Sequence, residues 1–123
     1  MSFSADIDKA YQVKVIDRLE KTVRTVALAV DRELVMNTPV DTGRARSNWL
    51  PSIGSPDIRI VEPGAKPDIT GATLNYSLKS EIFITNNLPY IRRLNDGHSQ
   101  QAPAGFVETA INVGVSKAKR QTR

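Results

Sequence analysis

No cysteine occurs among the 123 residues, which excludes disulfide scaffolds, thiolate zinc sites and thiol nucleophiles together. Histidine is almost as scarce: His98 stands alone between Gly97 and Ser99, and only Asp96 is a carboxylate close to it in sequence. Metal-ligand spacing is therefore missing, and His98 reads as a surface loop residue. No serine lies in a nucleophile-elbow context, and neither Gly43 nor Gly71 belongs to a phosphate-binding pattern. Nowhere do 18 apolar residues run together, so no membrane span is expected. The first residues lack a basic stretch followed by an apolar run, which predicts no secretory signal and leaves Asn75-Tyr-Ser77 without meaning as a glycosylation acceptor. Internal repeats and low-complexity tracts are absent as well.

What is present suits a globular body. Apolar residues make up 40% and charged residues 24%, and the length fits a single domain over 1–123. A core of this size hides roughly two-thirds of the chain's surface and leaves little room for a deep substrate cleft. The net charge of +4 hints at nucleic acid until it is located. Lys117, Lys119, Arg120 and Arg123 account for all of it, which leaves the rest of the chain neutral and puts the excess on a basic tail, 117–123.

Ile16, Leu19, Val23, Val26 and Val30 recur at spacings of three and four, with Ile7 and Tyr11 before them and Leu34 after. The spacing predicts one long helix over 6–37, with Ser4 as cap, Asp6 and Asp8 at its positive end, and Pro39 forcing Thr38 out of helical geometry. Such a helix is roughly 48 Å long at about 1.5 Å per residue, while a domain of this length has a radius of gyration near 14 Å. It overhangs its own domain, so either the helix bends or its apolar stripe is buried against a neighbouring subunit, and the second is the expectation preferred here.

After Pro39, Asp41 or Thr42 is positioned to cap a short helical turn that contains Arg44 and Arg46. Trp49–Ile53 and Asp57–Glu62 read as strands, and prolines and glycines from Pro51 to Gly71 mark 50–80 as a long exposed loop or hairpin. A short helix is expected within 70–78. Glu81–Thr85 is the strongest strand, followed by a turn of helix that carries Pro89, Tyr90, Ile91 and Leu94 and ends at Asn95-Asp-Gly97. The last helix runs from about Pro103 to Lys119, with Val107, Ala110, Ile111, Gly114 and Ala118 on one side, and is expected to dock on the sheet. The fold class is α+β: a long N-terminal and a C-terminal helix packed on a small antiparallel sheet.

Asp41-Thr42-Gly43 is the tripeptide of aspartic proteases, but that chemistry needs an apolar strand before the aspartate. Thr-Pro-Val precedes it here and Arg-Ala-Arg-Ser-Asn follows, as suits a helix cap. No catalytic set is present, so the expectation is a protein that is not an enzyme and that uses no cofactor or metal. Arg44, Arg46, Arg92 and Arg93 form either a solvated face or guanidinium contacts to a partner's carboxylates.

Two segments together resemble one family. Asn37-Thr-Pro-Val-Asp-Thr-Gly-Arg-Ala-Arg-Ser-Asn-Trp49 resembles the segment after the first helix of tailed-bacteriophage neck and tail-completion proteins. Ile84–Val107, with Asn-Asn-Leu-Pro-Tyr and Gly-His-Ser-Gln-Gln-Ala-Pro-Ala-Gly, is similar to the family's second signature. The matching positions are Thr42, Gly43 and Arg44, then Pro89, Tyr90, Leu94, Gly97, Ser99, Gln101, Pro103 and Gly105, most of them capping, turn or packing residues.

The resemblance implies a structural virion subunit made in the host cytoplasm and placed at the head–tail junction. It would form a homo-oligomeric ring of six around the DNA passage and contact other neck, connector and tail proteins. Ring closure needs two different patches on each subunit, and the stripe of the long helix, with Arg92 and Arg93, is the candidate for one. The alternative is a small DNA-binding or protein-interaction module that uses Lys117, Lys119, Arg120 and Arg123.

Overall fold

The computed structural model describes residues 12–39, 43–74, 76–97 and 103–121. A π-helical turn, Gln12–Ile16, leads into helix α1, Asp17–Asn37. A one-turn helix α2, Arg44–Ser47, feeds strand β1, Leu50–Ile53. Helix α3, Ile69–Leu74, precedes strand β2, Ile82–Thr85, and helices α4, Ile91–Asn95, and α5, Phe106–Gln121, complete the chain. The strands pair antiparallel in the register Leu50 to Thr85 through Ile53 to Ile82. The α+β expectation therefore holds, with a sheet of two strands. Both strands are edges, which is why Pro51 is tolerated opposite Ile84.

Helix α1 ends as its sequence dictates: Thr38 is extended at ψ 138°, as a residue before proline must be. No basic residue lies in its last turn, so its orphan carbonyls are met from elsewhere. The Thr38 hydroxyl donates to Leu34 O at 2.5 Å, and Asn37 Nδ2 donates to Glu33 O at 2.8 Å. Arg46 donates from Nε to Thr38 O at 2.9 Å and from Nη2 to Met36 O at 3.0 Å. A cation at the negative end of the helix dipole adds to those bonds.

Helix α5 packs chiefly on α1 and not, as its periodicity suggested, on the sheet. The reason lies in a stripe of small residues, Ala110, Gly114 and Ala118, four apart on one face and all buried. Without large side chains between them the two backbones close up. A Cβ on Gly114 would stand 2.7 Å from Val30 Cα. Ala110 sits with Leu34, and Gln121 shares a cavity with Thr25 and Leu28, so the helices run antiparallel. Ile111, expected on the packed side, is exposed instead.

The core joins Leu34, Trp49 and Ala110, with Val30, Val35, Ile84, Ile91 and Val107 against them. Burying an aliphatic or aromatic side chain of this kind contributes about 1.5–3 kcal/mol. Strand β2 reaches this cluster through Ile84, which ties the sheet to the helix pair.

Asp57–Glu62 is not a strand, although its residues alternate. Side chains take the place of a neighbouring strand along it. Asn48 accepts from Val61 N at 2.8 Å and donates to Val61 O at 3.0 Å. Asn87 Nδ2 donates to Asp57 O at 2.7 Å and Arg59 O at 2.9 Å, and Thr85 Oγ1 donates to Asp57 O at 2.9 Å. The long loop is thereby fastened, while Ile58 points outward at 85% exposure.

Candidate functional site

The two signature segments meet. Trp49, from the first, belongs to the core cluster against which Ile84, Ile91 and Val107 of the second pack, and its indole N–H donates to Thr38 Oγ1 at 2.8 Å. Asn86 Nδ2 reaches Ala45 O at 3.0 Å. Asn48, 0% exposed, donates to Arg44 O at 2.8 Å as well as bonding Val61, so it locks α2 to the loop. Ser47 Oγ accepts from Gly64 N at 2.7 Å.

Within the second signature the joint is Asn95. Its Oδ1 accepts from Val107 N at 2.9 Å at the start of α5, and its Nδ2 lies 3.0 Å from both Glu108 carboxylate oxygens. Gly105 N donates to Asn95 O at 2.6 Å. Gly97 ends α4 at φ 97°, a left-handed conformation, and a Cβ there would stand 3.2 Å from Ala104 Cβ. Gly43 and Gly105 also have positive φ, 71° and 76°. Tyr90 precedes α4 and accepts from Leu94 N at 3.1 Å, while Pro89 and Pro103 lie on the turns that open the two helices. Arg44 is exposed at the start of α2. Asp41, Thr42, Ser99, Gln101, His98 and Arg123 lie outside the described residues, so the capping role of Asp41 or Thr42 does too.

Two hollows flank Trp49. One, of about 450 Å³, opens between α4 and α5 and is lined by Arg92, Asp96 and Glu108 among others. The other, of about 340 Å³, lies between α1, α2 and the loop at 64–67. Asp31 lines the second, 9% exposed, and its Oδ1 has no hydrogen-bond partner. Burial pushes its carboxyl up to about 6. Among the described residues no group of three histidine or acidic side chains could hold a metal ion.

Two ion pairs engage charges elsewhere on the described chain. Lys117 Nζ donates to Glu33 Oε1 at 2.5 Å, and that hydrogen bond holds the Glu33 carboxyl below the usual range, aided by the lysine's charge, by Asn37 and by Arg32, against the cost of burial. Asp57 is likewise lowered, first by the Arg59 side chain at 2.7 Å and then by the Arg59 backbone N–H, and the same pairing raises Arg59. Helix α5 continues to Gln121, so Lys117, Lys119 and Arg120 lie on a helix and not on a free tail. Lys117 is committed to its own chain.

The expected subunit stripe divides. Val30 packs inside the chain against Gly114. From residue 14 to residue 26 no residue is buried, and Ile16, Val23 and Val26 are partly covered while Leu19 is 50% exposed. Arg92 and Arg93 are exposed on α4.

Several structural residues escaped the sequence reading. Arg46, read as a solvated or partner-binding guanidinium, instead bonds the carbonyls that end α1, and Asn48 gave no signal beyond polarity. Asp31 was findable, since it falls at helical spacing from Ala27, Leu34 and Val35 and so interrupts an apolar face.

The chain matches no family model, no curated protein and no solved structure. No helix among the described residues is long and apolar enough to cross a membrane.

Proposed function

We propose that the protein is a structural subunit of a tailed-phage head–tail connector, a neck or tail-completion component that closes into a ring of six around the DNA passage. The observation that carries this reading is the overhang of α1. The 5-residue π-turn and the 21-residue helix together extend roughly 39 Å at about 1.5 Å per residue, against about 24 Å for the 16-residue α5 that covers them. The N-terminal portion carries Ile16, Val23 and Val26, each only partly covered, and the exposed Leu19, without a buried residue among them. An apolar stripe left in this condition is suited to a sister subunit.

Two further features support the reading. The signature segments converge on Trp49 as an architectural joint, and the fastened loop presents Ile58 on a patch distinct from the helix. A heterologous ring contact uses two such patches. The DNA-binding alternative is weakened by the engagement of Lys117 with Glu33.

Light scattering on the full chain tests the proposal. The expected mass is a six-fold multiple of 13.6 kDa, reduced to the monomer by Leu19→Glu with Val23→Glu while the helical circular dichroism persists. A monomer at every concentration, indifferent to these substitutions, removes the ring reading.

A further inference from the structure

The hollow beside Asp31 is built differently from a surface dent. Asp31 and Val35 come from α1, Arg46 and Trp49 from the segment after Pro39, and Lys66 and Pro67 from the fastened loop. Three separate parts of the chain thus line one hollow that holds a single carboxylate. Its Oδ1 is buried without a donor, and among the described residues no cation lies within 4.0 Å of it. The guanidinium that lines the hollow is committed, since Arg46 gives Nε to Thr38 O and Nη2 to Met36 O. Buried polar atoms in folded proteins are nearly always bonded, and an orphaned one calls for an explanation.

We infer that this hollow is a binding site for a cationic group on an apolar stem, an alkylammonium or alkylguanidinium, with Asp31 as its counter-ion. The chemistry follows from the walls. Trp49, Val35 and Pro67 offer apolar surface to a short hydrocarbon chain, and Asp31, the one carboxylate in the lining, carries a buried oxygen, Oδ1, without a hydrogen-bond donor. A donor N–H carrying positive charge restores both the missing hydrogen bond and the missing countercharge, and a charge-assisted bond in a desolvated site is the strong kind. A neutral alcohol restores only the first. Arg46 and Lys66 line the hollow as well, but Arg46 is bonded to the carbonyls that end α1 and Lys66 is exposed, so Asp31 is the buried charge that a ligand's head group must match. The volume of about 340 Å³ admits a four-carbon stem with its head group. Such a group is carried by the lysine and arginine side chains of another copy of this chain and by small soluble amines. The inference stands apart from the connector reading, because it rests on the pocket and not on the overhang.

The test uses the full-length protein with n-butylammonium and n-butylguanidinium chlorides as probes and n-butanol as the neutral control. Nuclear magnetic resonance follows the Asp31 carboxyl carbon and the Trp49 indole N–H. Saturable shifts at both positions are expected with the cationic probes, with the Asp31 titration moved down by at least about one pH unit, which is tenfold in the protonation equilibrium. Apparent affinity should fall at least about tenfold, or 1.4 kcal/mol, in the isosteric Asp31→Asn variant. The wild-type shifts alone decide the matter if that variant does not fold. The inference is overturned if neither probe moves the two signals at tens of millimolar, if n-butanol reproduces the shifts, or if Asp31→Asn binds as well as the wild type. It is also overturned if Lys66→Ala, without any probe, raises the Asp31 titration, because Lys66 would then already fill the site. Sedimentation with and without the probe separates the sources. Dispersal of an assembled species by n-butylammonium assigns the cation to a side chain of another copy, and binding with no change in mass assigns it to a soluble amine.

Discussion

Gly114 and Val30 set the distance between the two main helices: a Cβ added to the glycine would fall 2.7 Å from Val30 Cα and 2.8 Å from Val30 N. Both are backbone atoms, so the clash is not relieved by turning a side chain. Gly114→Ala is therefore expected to destabilise by about 1–3 kcal/mol, although alanine is the better helix former by about 1 kcal/mol. Urea unfolding measures the loss. Ser116→Ala, on the exposed side of the same helix, should leave the midpoint unchanged within about 0.5 kcal/mol.

Asn48 holds the loop by two hydrogen bonds to Val61 and α2 by a third to Arg44 O, while it is itself fully buried. Asn48→Ala leaves Val61 N–H, Val61 O and Arg44 O without these partners, and a loss of about 2–3 kcal/mol is expected. The diagnostic readout is hydrogen exchange. Val61 N–H should lose protection before amides of α5 do, because its partner is a side chain and not a ladder.

The legible parts of this fold were those with local periodicity. The stripe from Ile16 to Leu34 announced α1, Ile82-Phe-Ile84 announced β2, and Pro39 marked the helix end through the geometry of Thr38. Asp57–Glu62 misled because alternation describes a side-chain pattern and not its hydrogen-bond partners, which here are Asn48, Thr85 and Asn87. The docking of α5 was misjudged for a related reason. Small residues look weakly apolar along a sequence, yet Ala110, Gly114 and Ala118 bring the backbones together because they are small. Of the candidate site, Gly43, Gly97 and Trp49 stood inside recognisable segments, whereas Arg46 and Asp31 acquire their roles only when distant carbonyls and loop atoms arrive.

Lys117 covers a buried carboxylate. Removing it as Lys117→Ala leaves Glu33 with Asn37 as its neutral hydrogen-bond partner at 3.2 Å. A cost of about 1–2 kcal/mol at neutral pH is expected, below that of a fully buried pair because Lys117 is half exposed. The folded carboxyl of Glu33 is depressed, so the stability it contributes is present above its unfolded value of 4.5 and disappears as pH falls through the lower folded value. The difference between wild type and Lys117→Ala should accordingly shrink in acid. Thermal melts at neutral pH and below pH 4 check the direction.

Asp31 has the opposite sign. Its carboxyl is raised from 3.8 to about 6 by burial, so the folded protein binds a proton that the unfolded chain has released. Stability linked to this group is therefore full below about pH 4, declines as pH rises towards 6, and stays at the lower level beyond it. Asp31→Asn removes the charge while keeping the shape, and is expected to stabilise the protein by about 1–3 kcal/mol at pH 7.5. The gain should shrink towards zero as pH falls below 4, where the unfolded carboxyl takes up its proton as well. Urea midpoints of the two proteins between pH 3.5 and 7.5 give the comparison, and curves that run parallel across that range would show that Asp31 is already paired or hydrated in solution.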